Sequence, residues 1–139
     1  MFEVVLQQAL DEAEQGGNVR VESAGILKET AGQPANEKAI ICMGRANLDL
    51  DSHRSQWIGD FADIDDDDII LCMDPEVVAA VQNLKGVSRA RIILVNEAEG
   101  GIPNPWQMDQ SAYDACAAVI TKVARSMVGG LIAWRLILT

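Results

Sequence analysis

Three cysteines, one histidine and a few well-placed acids carry most of the chemistry this sequence could do. Cys42, Cys72 and Cys116 are odd in number and widely spaced, and no pair has the separation of metal ligands or of a redox couple. Cys72 and Cys116 lie inside apolar runs, which reads as small buried hydrophobes, and unpaired thiols of that kind fit a reducing cytoplasm. Cys42-Met43-Gly44-Arg45 brings a thiol near a guanidinium, but within a helical pattern rather than a loop. Ser23 and His53 are polar residues at the edges of elements, where each could act in a site or simply cap its own segment. Asp74 follows the apolar run Ile69–Met73 and precedes Pro75. It therefore stands where sites form at strand ends, and equally where a helix cap belongs.

The elements that must position these residues follow from periodicity. Val5, Leu6, Ala9, Leu10 and Ala13 recur at helical spacing with acids on the other face, and Gly16-Gly17 ends that helix. Val19-Arg20-Val21 alternates like a short strand that stops at Ser23-Ala24-Gly25. Pro34 suits a first helical turn, and that helix runs through Ala39, Ile40, Ile41 and Met43 to about Ala46. Asp51-Ser52 predicts a cap for a short helix holding His53, Arg54, Trp57 and Ile58. Ile69–Met73 and Ile92–Val95 are continuous apolar runs, as in strands buried on both faces. A helix through Val77, Val78, Val81 and Leu84 separates them, a loop covers Asn96–Asp109, and a last helix starts near Ser111. The apolar tail Met127–Leu138, interrupted by Gly129, Gly130 and Arg135, reads as more core helix. It is shorter than the ~20 residues of a membrane span.

Strands alternating with helices predict an α/β domain: three layers, with a parallel sheet between helices. The 139 residues suit one domain. No strand precedes the first helix, although such domains usually begin with one. The net charge of −10, from 21 acidic and 11 basic residues, argues against nucleic acid or an anionic membrane as the main partner. Met1-Phe2-Glu3 leads straight into the first helix without the pattern of a secretory leader.

Four stretches in order along the chain carry a resemblance. They are Val21-Glu22-Ser23-Ala24-Gly25; Pro34-Ala35 followed by Leu48-Asp49-Leu50-Asp51-Ser52-His53-Arg54-Ser55; Asp68-Ile69-Ile70-Leu71-Cys72-Met73-Asp74; and Ile102-Pro103-Asn104-Pro105-Trp106 with Tyr113 in the helix beyond. They resemble the D-S-A-G turn, the G-I-D-L-x-x-H-R-S segment, the D-x-I-L-x-M-D strand and the I-x-D-P-[YFW] loop of the low-molecular-weight protein tyrosine phosphatases. The resemblance implies a phosphotyrosine phosphatase I-like (Rossmann-like) fold over 1–139. It also implies hydrolysis of phosphotyrosine proteins or small aryl phosphates, with no metal and no cofactor.

It also exposes departures. The family's chemistry needs a strand followed by C-x5-R-S, whose thiolate attacks phosphorus while the arginine and loop N–H groups hold the phosphoryl oxygens. Met1 aligns just after that motif, and none of the three cysteines has Arg at the sixth following position. The family's general-acid Asp corresponds to Asn104, whose amide has no proton to give. Ser23 and His53 match the pair that braces the phosphate loop, and Trp106 matches the aromatic wall beside the substrate ring.

The resemblance thus implies a domain incomplete at its N-terminus, with the first central strand missing between 19–22 and 69–73. About five buried apolar side chains at ~1.5–3 kcal/mol each would go with that strand. A domain is stable by only ~5–15 kcal/mol, so low stability and self-association through exposed strand edges are expected. Three functional readings follow: an inactive, truncated phosphatase; a non-catalytic module binding a phosphoprotein or anion; and an arsenate reductase relative. The last needs resolving cysteines on a mobile loop, whereas Cys72 and Cys116 fall in a strand and a helix.

Overall fold

The computed structural model describes residues 1–14, 17, 19–61, 64–87, 90–128 and 135–139, with only the backbone of 135 and 136. Gly16, Gly129 and Gly130, used above as breakers, lie outside the described residues. The elements are α1 (Phe2–Glu12), β1 (Arg20–Ser23), α2 (Glu37–Arg45), β2 (Asp68–Cys72), α3 (Pro75–Gln82), β3 (Arg91–Leu94), α4 (Gln110–Met127) and β4 (Arg135–Leu138). Single 3-10 turns occur at Lys28–Thr30, Ile58–Asp60 and Glu97–Glu99.

Capping chemistry sets the helix starts. The Asn36 side chain accepts from Lys38 N at 2.9 Å, Asp74 from Val77 N at 2.8 Å and Asp109 from Ala112 N at 3.0 Å. Each satisfies an N–H that a first helical turn leaves without a partner. Asp74 is therefore a cap, as one reading of the sequence expected.

The four strands form one parallel sheet in the order β1-β4-β2-β3. β2 is buried along its whole length and alternates between two cores. Ile69 and Leu71 pack with α1, α2 and α4 on one face, and Ile70 and Cys72 with α3 and Ile58 on the other. This is the three-layer α/β/α arrangement expected from the sequence.

Two local expectations are corrected. The tail 127–138 is not helix throughout: α4 ends at Met127 and β4 follows at Arg135. β4 pairs with β1 on one side and β2 on the other, and Ile137 is fully buried. A short apolar run has no periodicity that separates helix from strand, and two waiting strand edges decide the matter. Similarly, no helix forms at 53–57. Pro34 pairs with Arg54 and Gly25 with Trp57 in isolated bridges, and only Ile58–Asp60 makes a turn.

The central position that the sequence left empty is thus filled from the other end of the chain. Both inner strand edges are hydrogen-bonded, so the exposed edges and the loss of central burial anticipated above do not arise.

Candidate active site

The carboxyl ends of β1, β4 and β2 converge. Ala24 N donates to Leu138 O at 2.8 Å, Thr139 N to Leu71 O at 2.9 Å and Met73 N to Thr139 O at 2.9 Å. The sheet ladder therefore continues past the strands and forms the floor of a cleft. Ile102 N donates to Met73 O at 2.7 Å and pins the 101–106 loop over that floor. Gly101 permits this approach: its φ is +107°, and a Cβ there would lie 2.4 Å from the Met73 carbonyl oxygen.

The cleft has a volume of about 340 Å³. Ser23, His53 and Asn104, far apart in sequence, all line it, with Leu50, Met73 and Ile102 as apolar walls. Trp106 does not line it. Its ring is 63% exposed and borders an adjoining groove of about 350 Å³ that shares Leu50, His53, Asn104 and Pro105 with the cleft. Trp106 is therefore not core filler. The Asn104 carboxamide oxygen accepts from the Trp106 backbone N–H at 3.1 Å, so Asn104 shapes the loop that carries the ring.

Glu3 was not singled out by sequence, because the α1 acids read as a solvated face. It sits in the first turn of α1 and lines the cleft, where its carboxylate accepts a hydrogen bond from the Ser23 hydroxyl. Its position ahead of an apolar helical face was the only signal, and a weak one. The His53 imidazole has no side-chain partner among the described residues; only its backbone is engaged, His53 N donating to Leu50 O at 3.1 Å. The charged side chains in the wall are Glu3 and Asp74, and no Lys or Arg side chain lines the cleft among the described residues.

Cys116 is the one thiol in the cleft wall. Its Sγ donates to Pro103 O at 3.5 Å, and burial pushes its pKa above the ordinary thiol value, opposed by the nearby Met1 amino group. Burial raises Cys72 too, partly offset by contact with the Thr139 hydroxyl at 3.3 Å, and raises Cys42 together with Asp114. All three thiols are free and buried, as their apolar surroundings in the sequence indicated.

A sequence profile of the low molecular weight phosphotyrosine protein phosphatases matches residues 1–133. The chain belongs to this family. No curated protein sequence matches it significantly. Among solved structures, Vibrio vulnificus Wzb in complex with benzylphosphonate is 24% identical with a TM-score of 0.74, over 94% of this chain and 88% of that one. The low molecular weight protein tyrosine phosphatase of T. tengcongensis is 17% identical with a TM-score of 0.76, over 94% and 88%. YwlE, an arginine phosphatase with a phosphorylated active-site serine, is 17% identical with a TM-score of 0.78, over 94% and 85%. At these identities the likeness is one of fold. Low molecular weight phosphatases act on phosphotyrosine, and no helix of this chain is long and apolar enough, among the described residues, to cross a membrane.

Proposed function

We propose that this chain holds the aryl side of a phosphotyrosine protein or small aryl phosphate and that its 139 residues do not cleave the ester. The observation that carries the reading is the state of Cys116. The only thiol in the cleft wall is engaged with a carbonyl and kept protonated by burial. The thiolate is the nucleophile, and no guanidinium or ammonium side chain stands in the described wall to hold the phosphoryl oxygens.

In this reading Asn104 occupies the general-acid position without a proton to donate, and its carboxamide instead orders the loop behind Trp106. Ser23 and His53 are the pair that would brace a phosphate-binding loop at the cleft floor, and Trp106 is the outer wall against the substrate ring. The two carboxylates, Glu3 and Asp74, favour recognition of the ring over capture of the anion. An arsenate reductase would need an accessible resolving thiol, which buried Cys72 and Cys116 do not offer. Three reduced, buried thiols support a cytoplasmic setting.

The test is hydrolysis of p-nitrophenyl phosphate by the purified chain, with binding of benzyl alcohol and benzylphosphonate measured alongside. The expected result is no turnover above background and no preference for the phosphonate. Turnover within about tenfold of an active family member, abolished by Cys116→Ser, would overturn the proposal.

A further inference from the structure

Of five cavities on the described surface, only one has Lys or Arg side chains in its wall. It is the groove where α1, α2 and α4 meet, about 740 Å³, and it shares no lining residue with the cleft. Lys122 and Arg125 stand three residues apart on α4, on the same helical face. Neither makes an ion pair or a side-chain hydrogen bond among the described residues. Two like charges at this spacing repel one another, and a chain of net charge −10 gives them no nearby pairing acid within bonding distance. An anion placed between them would relieve that repulsion and gain charge-assisted hydrogen bonds, with Arg125 able to grip two oxygens at once.

The rest of the groove suits a particular kind of anion. Val5, Met43, Leu48 and Ala117 give it an apolar floor against which a flat ring can lie. Gln8 offers both amide donors and a carbonyl, with no side-chain partner among the described residues. Glu12 adds an acceptor for hydroxyl or amino groups and opposes a second negative charge at its end of the groove. The volume falls in the ~300–1,000 Å³ range of small-molecule sites.

We propose that this groove binds a small organic phosphate with a flat, hydroxylated body, of the nucleoside monophosphate class. Lys122 and Arg125 hold the phosphate, the apolar floor carries the ring, and Gln8 and Glu12 read its polar edge. The site is independent of the cleft and of any hydrolytic activity.

Titration calorimetry of the chain with uridine monophosphate, uridine and inorganic phosphate, at ~0.1 M salt, tests the proposal. Uridine monophosphate should bind at least about tenfold more tightly than either fragment, and Lys122→Gln and Arg125→Gln should each weaken it about tenfold or more. Cys42 lies in the groove wall and should be alkylated more slowly by N-ethylmaleimide when the nucleotide is present. Both substitutions are on exposed helix positions, so the variants should melt like the parent. Uridine monophosphate binding no tighter than phosphate, or unchanged in both variants, overturns the assignment.

Discussion

The Ser23 hydroxyl donates to the Glu3 carboxylate, joining the end of β1 to the first turn of α1 across the cleft. The carboxylate is half-buried, so its partner matters more than the hydroxyl itself. Ser23→Ala should cost about 1–3 kcal/mol, the penalty for leaving such a group without its donor. The Ser23→Ala/Glu3→Ala double variant should cost less than the sum of the singles. Urea denaturation of the three variants measures this, and strict additivity would mean the two residues do not support each other.

β4 is predicted to hold the sheet together. Ile137 is fully buried between the two cores, and Ile137→Ala should cost about 2–5 kcal/mol, a large part of a typical domain's stability. Removing residues 135–139 should uncover the inner edges of β1 and β2 and cause aggregation. Ile93, on the outer strand and 37% exposed, is the control: Ile93→Thr should change stability by less than about 0.5 kcal/mol. Denaturation midpoints and size-exclusion profiles compare the three. A shortened chain that stays monomeric and equally stable would remove β4 from the core.

Gly101→Ala should be among the most damaging loop substitutions. It combines an unfavourable φ of +107° with a Cβ 2.4 Å from Met73 O, and strain at such positions is of order 1–3 kcal/mol before the steric clash is added. Trp106→Ala should leave the melting temperature nearly unchanged, because the ring is exposed, yet weaken binding of benzyl alcohol. Thermal melts with and without the ligand separate the two effects.

Alkaline pH should destabilise the fold through its thiols. Burial raises the folded pKa of Cys42, Cys72 and Cys116 above the unfolded value. The folded state thus prefers the protonated thiols. Their contribution is complete below the ordinary thiol value of ~8.5 and is lost as pH rises through the higher folded values. The midpoint of unfolding should fall above about pH 8.5 and fall less steeply in Cys72→Ala, the most buried of the three. Equal slopes would assign the alkaline loss to other groups.

Rebuilding the chemistry should require two separate changes. Thr139 and Met1 line the same cleft, so a circularly permuted chain, opened between Lys85 and Gly86, can join them through Cys-x5-Arg-Ser. It should bind vanadate and hydrolyse p-nitrophenyl phosphate. Asn104→Asp in that chain should then raise kcat on phenyl phosphate, a poorer leaving group, by about 10²–10⁴-fold, and on p-nitrophenyl phosphate much less. Equal gains on both substrates would remove Asn104 from the acid position.

The sequence by itself determined the α/β class, the burial of all three cysteines, the helix starts at Asn36, Asp74 and Asp109, and the set of polar residues Ser23, His53 and Asn104 that gather at the cleft. These follow from local rules: hydrophobic period, capping groups, and strand ends that become site edges. Tertiary structure alone decided the rest. Whether the short apolar tail became helix or strand depended on two parallel edges more than sixty residues away, which hydrogen-bond Arg135–Leu138 from both sides. Glu3 looked like one more solvated acid until α1 packed beside Ser23. His53 and Trp57 entered extended, bridged backbone rather than a capped helix, because Pro34 and Gly25 offered pairing partners across the loop. Local patterns report what a segment can become, and long-range hydrogen bonding and burial choose among those options.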